Sequence, residues 1–288
     1  MLGRILCVAA YIALAPFLGG LLDGIDRKLS ARMQGRIGPS VLQPFYDVRK
    51  LLNKQTIVVR QSQTFLLLSY CALMIFTGCL FYGGSDLLMC FFVLSTAAVF
   101  LYFAAVVSSS PYSSIGASRE LIQMMAYEPA VLMTCVGFYL SENSFYVSQI
   151  VSTKWSAVTR LPGCFAAFVF ILTIKMRKSP FDLSTSHHAH QELVKGLTTE
   201  MGAKNLALYT VTEWYENIFL LGVVGLFFIN RNPGSIVLAV LAVLAVYFLE
   251  ILIDNTCARV KYQSMMKAAW LVALLAGGSN LLILMLVK

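Results

Sequence analysis

The chain has 288 residues, of which 58% are hydrophobic and only 12% are charged. Soluble domains have about 25% charged residues, so a soluble fold of this size could not cover its surface with polar groups. The composition therefore argues against a soluble enzyme, a nucleic-acid-binding protein and a disordered linker. The formal charge of +8 consequently needs another explanation.

Eight apolar runs predict transmembrane helices, each of which needs about 20 residues. The fifth run is short, and Gly83, Gly84, Ser85 and Asp86 predict a tight turn between the second and third. We expect an all-α, polytopic membrane protein whose 288 residues form a single transmembrane domain. The runs lie at 5–22, 64–82, 87–108, 121–140, 161–176, 206–228, 235–253 and 268–286.

The basic residues predict the orientation. Of the 22 Lys and Arg residues, 17 fall in the segments on one side of the eight runs and five on the other. The positive-inside rule places the richer side in the cytoplasm and both termini outside. The excess of basic residues is therefore mainly a topology signal, although contact with anionic lipid or an acidic partner is compatible with it.

The first and third cytoplasmic loops are predicted to be long. In the first, apolar residues at helical spacing and Pro44 in a first turn predict an amphipathic helix at about 41–54. The residues alone favour a helix that rests in the membrane interface, and the alternative is a docking platform for another subunit.

The third cytoplasmic loop, at about 177–205, contains the three histidines of the chain, His187, His188 and His190. They are too closely spaced to point one way on a helix, and no cysteine is nearby. We expect a solvated or subunit-contacting loop and no metal site.

Several acids lie inside the apolar runs, where each costs about 2.5–3.5 kcal/mol. Glu213 and Glu216 share one helix face, as do Glu250 and Asp254, and Glu128 is deep in the fourth run. The nearest basic residues in the sequence are Arg119, Lys204 and Arg259, all near helix ends. We favour a hydrated proton or cation path over structural pairing, because carboxylates in membranes normally face a bundle interior or a wet cavity.

The sequence has no constellation typical of catalysis on this chain. It lacks a nucleophile pattern, a glycine-rich phosphate loop and metal-ligand spacing, and its seven cysteines never form CxxC. We expect no catalytic residue, no metal and no redox cofactor here, so that partners must supply any redox centre.

Several segments resemble the H-type membrane subunit of respiratory complex I. They are RIGP at 36–39, LQP at 42–44, KLL at 50–52, SIGASRE at 114–120, AYE at 126–128, SPFDL at 179–183, ELVKG at 192–196 and TE at 199–200. SRE with AYEP, and DNTCAR at 254–259, are more similar to the membrane-bound [NiFe] hydrogenase branch. Histidines stand where the quinone-reducing members have more acids. The best match is the ion-translocating membrane subunit of an Ech-type energy-converting hydrogenase.

The resemblance implies a membrane anchor and coupling subunit of a ferredoxin-dependent, proton- or sodium-pumping [NiFe] hydrogenase in a prokaryotic cytoplasmic membrane. Besides the lipid bilayer, the implied partners are the hydrogenase large subunit, the small iron–sulfur subunit, a ferredoxin-like iron–sulfur subunit and an antiporter-like membrane subunit. These partners, apart from the antiporter-like one, would hold the nickel–iron centre and the iron–sulfur clusters.

The resemblance and the buried acids together give three sets of candidate residues. The ion pathway comprises Glu128, Glu213, Glu216, Glu250 and Asp254. The coupling loop comprises Asp182, Glu192 and Glu200. In the family the first and third cytoplasmic loops dock the soluble arm, which favours the docking role for the amphipathic helix. The docking residues are Arg27, Arg32, Arg36, Gly38, Pro39, Arg119 and Glu120.

Three other functions stay open. The first is the H-type subunit of a quinone-reducing, complex I-like enzyme. The second is an independent secondary transporter, although no inverted repeat or broken helix is visible. The third is an inert membrane anchor, against which the deep acids argue.

Overall fold

The computed structural model describes residues 2–55, 60–185 and 193–287. Their regular structure is helical, with one isolated β-bridge between Asp86 and Tyr146. A π-helical segment, Ala273–Gly278, joins the last two helices into one rod. The helices are α1 (Leu2–Met33), α2 (Gln43–Leu52), α3 (Gln61–Tyr82), α4 (Leu87–Val106), α5 (Pro111–Glu142), α6 (Val147–Ile150), α7 (Pro162–Lys175), α8 (Ala203–Leu226), α9 (Gly234–Thr256), α10 (Tyr262–Val272) and α11 (Ser279–Val287).

The prediction of an all-α polytopic membrane protein is confirmed. Six helical segments among the described residues are long and apolar enough to cross a membrane: α1, α3, α4, α5, α9 and the rod from α10 to α11. Helix α7 has only 14 residues, and α8 has 24 residues but carries Glu213 and Glu216. The count of eight spans and the position of the termini stay predictions.

Local sequence explains where several helices begin and end. Asp86 accepts a hydrogen bond from Leu88 N at 2.8 Å and so caps α4. Proline stands in the first turn of α2, α5 and α7, where a missing N–H costs nothing. Asn143, with a φ of 55°, ends α5 in the left-handed conformation that asparagine tolerates.

Helix α8 lies at the centre and packs against α1, α2, α3, α7 and α9. Large buried aromatic side chains, including Phe138, Phe168, Phe219 and Phe227, fill the core. The outward faces of α1, α9 and the final rod carry exposed leucine, isoleucine and phenylalanine side chains, as expected for surfaces that meet lipid.

Helix α2 lies against α1 and α8. Its Phe45 ring packs on Trp214 of α8, with ring centroids 5.3 Å apart, and its Pro44 is buried. Arg49 and Lys50 of the same helix are exposed. Helix α2 falls within residues 41–54, where the amphipathic helix was predicted, and it holds part of its apolar face inside the bundle.

Candidate functional site

A buried cluster of ionised side chains lies where α5, α8 and the end of α7 meet. Its centre is Arg177, two residues beyond the last residue of α7. The backbone of Arg177 has a φ of 52°, a left-handed conformation that is uncommon for a residue with a Cβ. The chain turns here, so that the side chain of a connecting segment enters the bundle.

Arg177 contacts carboxylates from two helices. Its guanidinium lies 2.7 Å from Glu120 Oε1 on α5 and 3.0 Å from Glu213 Oε1 on α8. Glu216 Oε2 is 4.0 Å away. Burial by itself would lower the pKa of Arg177, but the facing carboxylates Glu120 and Glu216 raise it well above its ordinary value. Arg177 is therefore a permanent positive charge in the cluster.

Lys175 supplies the second cation of the cluster. Its ammonium lies 2.8 Å from Glu216 Oε1 and donates a hydrogen bond to the Tyr127 hydroxyl at 3.1 Å. Tyr70 of α3 donates to the other oxygen of Glu216 at 3.1 Å. The Glu216 carboxylate is thus held by an ion pair and by one tyrosine.

Glu213 connects the cluster to a cavity. It accepts a hydrogen bond from the Tyr209 hydroxyl at 2.6 Å, and 31% of its side chain is exposed, against 3% for Glu216. With every group ionised, the cluster holds three carboxylates and two cations, which leaves one negative charge. One proton would neutralise the cluster, and Glu213 is the carboxylate that water reaches.

The cavity beside Glu213 has a volume of about 710 Å³ and lies among α1, α2, α8, α9 and the segments after α7 and before α8. Just over half of its lining residues are charged. They are Asp23, Asp26, Arg27, Asp47, Lys50, Lys54, Lys175, Arg177, Lys178, Asp182, Lys195, Glu213, Glu216 and Asp254.

A second charged group lies between α1 and α9. Lys178 Nζ is 2.8 Å from Asp26 Oδ2 and lies over the Tyr247 ring, 4.8 Å from its centroid. Asp254 accepts a hydrogen bond from Ser179 N at 2.8 Å. Glu250, one turn before Asp254, is fully buried.

A second cavity, of about 840 Å³, lies beside the connection between α9 and α10. Asp182 and Asp254 line both cavities. Asp182 Oδ1 is 3.6 Å from Arg259 Nε, and both residues line the second cavity. The two cavities therefore share a wall that contains the carboxylates of Asp182 and Asp254.

The described residues contain no group of three or more His, Cys, Asp or Glu side chains that could hold a metal ion. Carboxylates and tyrosine hydroxyls that lie next to fixed cations are groups that can bind and exchange protons.

Comparison with known proteins identifies the family. The sequence profile of the NADH dehydrogenase family matches residues 5–285. The chain belongs to the NADH dehydrogenase family. The predicted resemblance to the H-type membrane subunit is confirmed at this level.

Relatives in the NADH dehydrogenase family come from different complexes. The H-type subunit of the NADH-quinone oxidoreductase of Syntrophotalea carbinolica is 27% identical, over 98% of this chain and 92% of its own length. Hydrogenase-4 component C of Escherichia coli is also 27% identical, over 87% of each chain. A chain of the membrane-bound sulfane sulfur reductase, an archaeal respiratory membrane complex, has the same fold, with a TM-score of 0.86, 22% identity and coverage of 98% and 99%.

Within this NADH dehydrogenase fold, four of the five predicted ion-pathway residues form two neighbouring groups. Glu213 and Glu216 lie in the Arg177 cluster, and Glu250 and Asp254 lie near Lys178. Glu128 lies apart from both groups. It is half-buried on α5, and no hydrogen bond or ion pair of its carboxylate occurs within the described part of the chain.

The residues of the predicted coupling loop are dispersed. Asp182 is buried between the two cavities, whereas Glu200 is exposed. Glu192, like His187, His188 and His190, lies outside the described residues.

The predicted docking residues are partly on the surface. Arg32, Arg36 and Pro39 are exposed, and Gly38 packs beside Lys28. Three others make internal contacts. Arg27 pairs with Asp23 at 3.0 Å and with Asp47 at 2.8 Å, Arg119 lines the second cavity, and Glu120 is buried against Arg177.

The expectation that few basic residues lie near the buried acids was wrong. Glu213 and Glu216 pair with Arg177 and Lys175, and the positive charge that acts on Glu250 and Asp254 is that of Lys178. Arg177 and Lys178 were assigned to the third cytoplasmic loop, because nothing local in the sequence indicates that the chain turns back into the bundle after α7.

Tyr70, Tyr127 and Tyr209 were also missed as members of the cluster. Helical spacing carries a signal for two of them. Tyr209 precedes Glu213 by four residues, and Tyr127 follows Glu120 by seven, so each shares a helix face with an acid.

Proposed function

We propose that this chain is the membrane anchor and coupling subunit of a ferredoxin-dependent, ion-pumping [NiFe] hydrogenase complex. Its part is to link redox chemistry in a soluble arm to ion movement through carboxylates in the bundle. The single observation that carries this proposal is the cluster of Glu120, Glu213 and Glu216 around Arg177 and Lys175.

The cluster suits coupling because its charges are balanced against one another in a buried site. A change of charge at the cavity wall alters how strongly Arg177 is drawn to Glu213 rather than to Glu120. Electrostatic interactions are strong where water is excluded, so such a change would move a proton on or off the wall carboxylate. Two sites are coupled when a change at one alters the interaction energy at the other, and Arg177, shared between Glu120 and Glu213, provides such a link.

The lining of the 710 Å³ cavity favours the hydrogenase type over the quinone-reducing type. Binding sites for apolar ligands are lined mostly by hydrophobic and aromatic side chains. Carboxylates, lysines and arginines make up just over half of the lining of this cavity. Its apolar and aromatic lining residues are fewer, namely Pro44, Val48, Leu51, Met176, Leu206, Tyr209, Trp214 and Tyr247. It suits water and protons better than an isoprenoid quinone.

The redox partners would be a hydrogenase large subunit with a nickel–iron centre, a small iron–sulfur subunit and a ferredoxin-like iron–sulfur subunit. They would dock on the exposed basic surface formed by Arg32, Arg36, Arg49 and Lys50. An antiporter-like membrane subunit would complete the ion path within a prokaryotic cytoplasmic membrane. The similarity to Hydrogenase-4 component C supports this assignment.

The alternative is the H-type subunit of a quinone-reducing enzyme, which the relatives from NADH-quinone oxidoreductases favour. The complex purified from its native membrane decides between the two. We expect nickel and hydrogen evolution from reduced ferredoxin. Quinone reduction without nickel would establish the alternative instead.

A matched pair of variants tests the coupling role itself. We expect Glu213→Gln to abolish ion translocation in vesicles while hydrogen evolution continues in uncoupled form. Glu142→Gln is the control, because Glu142 lies at the opposite end of α5, where it faces Arg160 at 3.8 Å and accepts a hydrogen bond from Ser141 Oγ at 2.7 Å. Full coupled pumping by the Glu213→Gln complex would refute a coupling role and leave an inert anchor. Transport by the chain alone would indicate a secondary transporter.

A further inference from the structure

Glu250 is a buried acid that makes no polar contact. Its side chain is fully inaccessible, and neither carboxylate oxygen accepts a hydrogen bond from any residue in the described ranges. A carboxylate that is ionised, buried and without hydrogen bonds is among the least favourable groups in a protein, and it normally takes up a proton instead. The geometry therefore points to a neutral carboxylic acid at this position.

Lys178 is the cation nearest to this acid. Helices α1, α7 and α8 pack against α9, and the charges that act on Glu250 are those of Lys178, just after α7, and Asp254, on α9 itself. Lys178 pairs instead with Asp26 of α1, at 2.8 Å. The Lys178 ammonium thus interacts electrostatically with three carboxylates, those of Asp26, Glu250 and Asp254.

The contact between Lys178 and Asp26 is electrostatic rather than a well-aligned hydrogen bond. Lys178 Nζ is buried and has no hydrogen-bond partner of acceptable geometry among the described residues, although Asp26 Oδ2 is close. Its other neighbour is the face of the Tyr247 ring. A lysine held by charge and by an aromatic face can change partners without breaking a directional bond.

Asp254 gives this group access to water. It lies one helical turn from Glu250 and lines both cavities. The backbone N–H of Ser179 holds its Oδ1 in place at 2.8 Å. A proton leaving Glu250 therefore has an acceptor on the same helix face that is connected to the cavities.

We propose that Glu250 is a proton-storage site controlled by Lys178, an inference that rests on the proposed function. When Lys178 pairs with Asp26, Glu250 holds the proton. When Lys178 moves to Glu250, the O–H bond of Glu250 breaks and the proton passes to Asp254 or to cavity water, while Lys178 stays an ammonium ion. The site is separate from the Arg177 cluster.

Infrared difference spectroscopy on the purified complex tests this proposal, because a protonated carboxyl group has a C=O stretching band that a carboxylate lacks. We expect Glu250→Gln to remove one such band and Glu250→Asp to shift it. Glu142→Gln should leave it unchanged. If the wild-type and Glu250→Gln spectra have the same carboxylic-acid bands, Glu250 is not protonated and the proposal fails.

Two further variants test the control by Lys178. In Asp26→Asn, Lys178 loses its partner and should pair with Glu250, so that the band disappears. In the double variant Asp26→Asn and Lys178→Met, no cation remains and the band should return. An unchanged band in Asp26→Asn would refute the control of Glu250 by Lys178. This variant also tests the proposal if the Glu250→Gln complex does not assemble.

The two proposals fail in different experiments. The spectroscopic band reports the protonation of Glu250 whether or not the complex pumps ions. Loss of the coupling role would appear in the vesicle assay of Glu213→Gln, with the Glu250 band still present.

Discussion

The guanidinium of Arg177 lies 2.7 Å from Glu120 Oε1, although the two residues are 57 positions apart in the sequence. A residue of a connecting segment thus neutralises a carboxylate of α5, and it does so in a left-handed backbone conformation. This pair joins α5 to the end of α7, and through Glu213 it joins both to α8.

We predict that Arg177→Met destabilises the complex strongly. The substitution leaves Glu120 and Glu213 buried near each other without their cation, and breaking a buried pair in this way costs about 3–5 kcal/mol. The midpoint of thermal inactivation of the purified complex measures the effect. Arg4→Met, at an exposed position of α1, should leave that midpoint unchanged, and a similar small effect at Arg177 would mean that the cluster does not stabilise the bundle.

Lys175 and Glu216 should behave as a coupled pair. Lys175→Met strands a buried carboxylate, whereas adding Glu216→Gln removes the stranded charge. We therefore expect the double variant to be more stable than Lys175→Met alone, with a coupling energy of about 0.5–3 kcal/mol. A double-mutant cycle on thermal inactivation provides the measurement. If the effects of the two substitutions on stability are strictly additive, the 2.8 Å contact between Lys175 and Glu216 contributes nothing to stability.

Two glycines of α1 should respond in opposite directions to alanine. A Cβ on Gly19 would lie 2.6 Å from Trp214 Cβ and 2.8 Å from Trp214 O, so α1 and α8 must separate. We expect Gly19→Ala to cost about 1–3 kcal/mol and to disturb Glu213, the neighbour of Trp214.

Gly3→Ala is the matched control on the same helix. No atom lies within 4 Å of a Cβ at Gly3, so alanine should stabilise α1 slightly, by about 0.5–1 kcal/mol at most. The thermal inactivation midpoints of the two variants should therefore shift in opposite directions. Equal shifts would contradict the close approach of α1 to α8 at Gly19.

The helical architecture could be predicted from the sequence because hydrophobic runs and helix-starting prolines are local signals. The pairing of Glu213 with Glu216 on one face also followed from a spacing of three residues. Both carboxylates do face the same cation, Arg177, at 3.0 Å and 4.0 Å.

The partners of these acids could not be predicted in the same way. Arg177 reaches the cluster because the chain turns after α7, and a single left-handed residue has no sequence signature unless it is glycine or asparagine. Helix geometry also explains Glu128. At about 100° per residue, it lies about 80° around α5 from Glu120, whereas Tyr127 falls almost in line with Glu120 and occupies the place in the cluster.

The predicted orientation can be tested with two cysteines at opposite ends of the bundle. Cys257 is exposed in the connection between α9 and α10, which the positive-inside rule places in the cytoplasm. Ser152, exposed between α6 and α7, is predicted to lie outside. We expect a membrane-impermeant maleimide to label Ser152→Cys in intact cells, in a background where Cys7 and Cys257 are serine.

In a chain whose Cys7 is replaced by serine, Cys257 should react only in inverted vesicles, after a chaotropic wash that removes peripheral subunits. The buried thiols Cys90, Cys135 and Cys164 should stay unlabelled in both preparations. If Cys257 is labelled in intact cells and Ser152→Cys is not, the orientation of the chain is the opposite of the predicted one. The Arg177 cluster and its cavity would then open to the outside, where a soluble arm that is fed by ferredoxin could not dock.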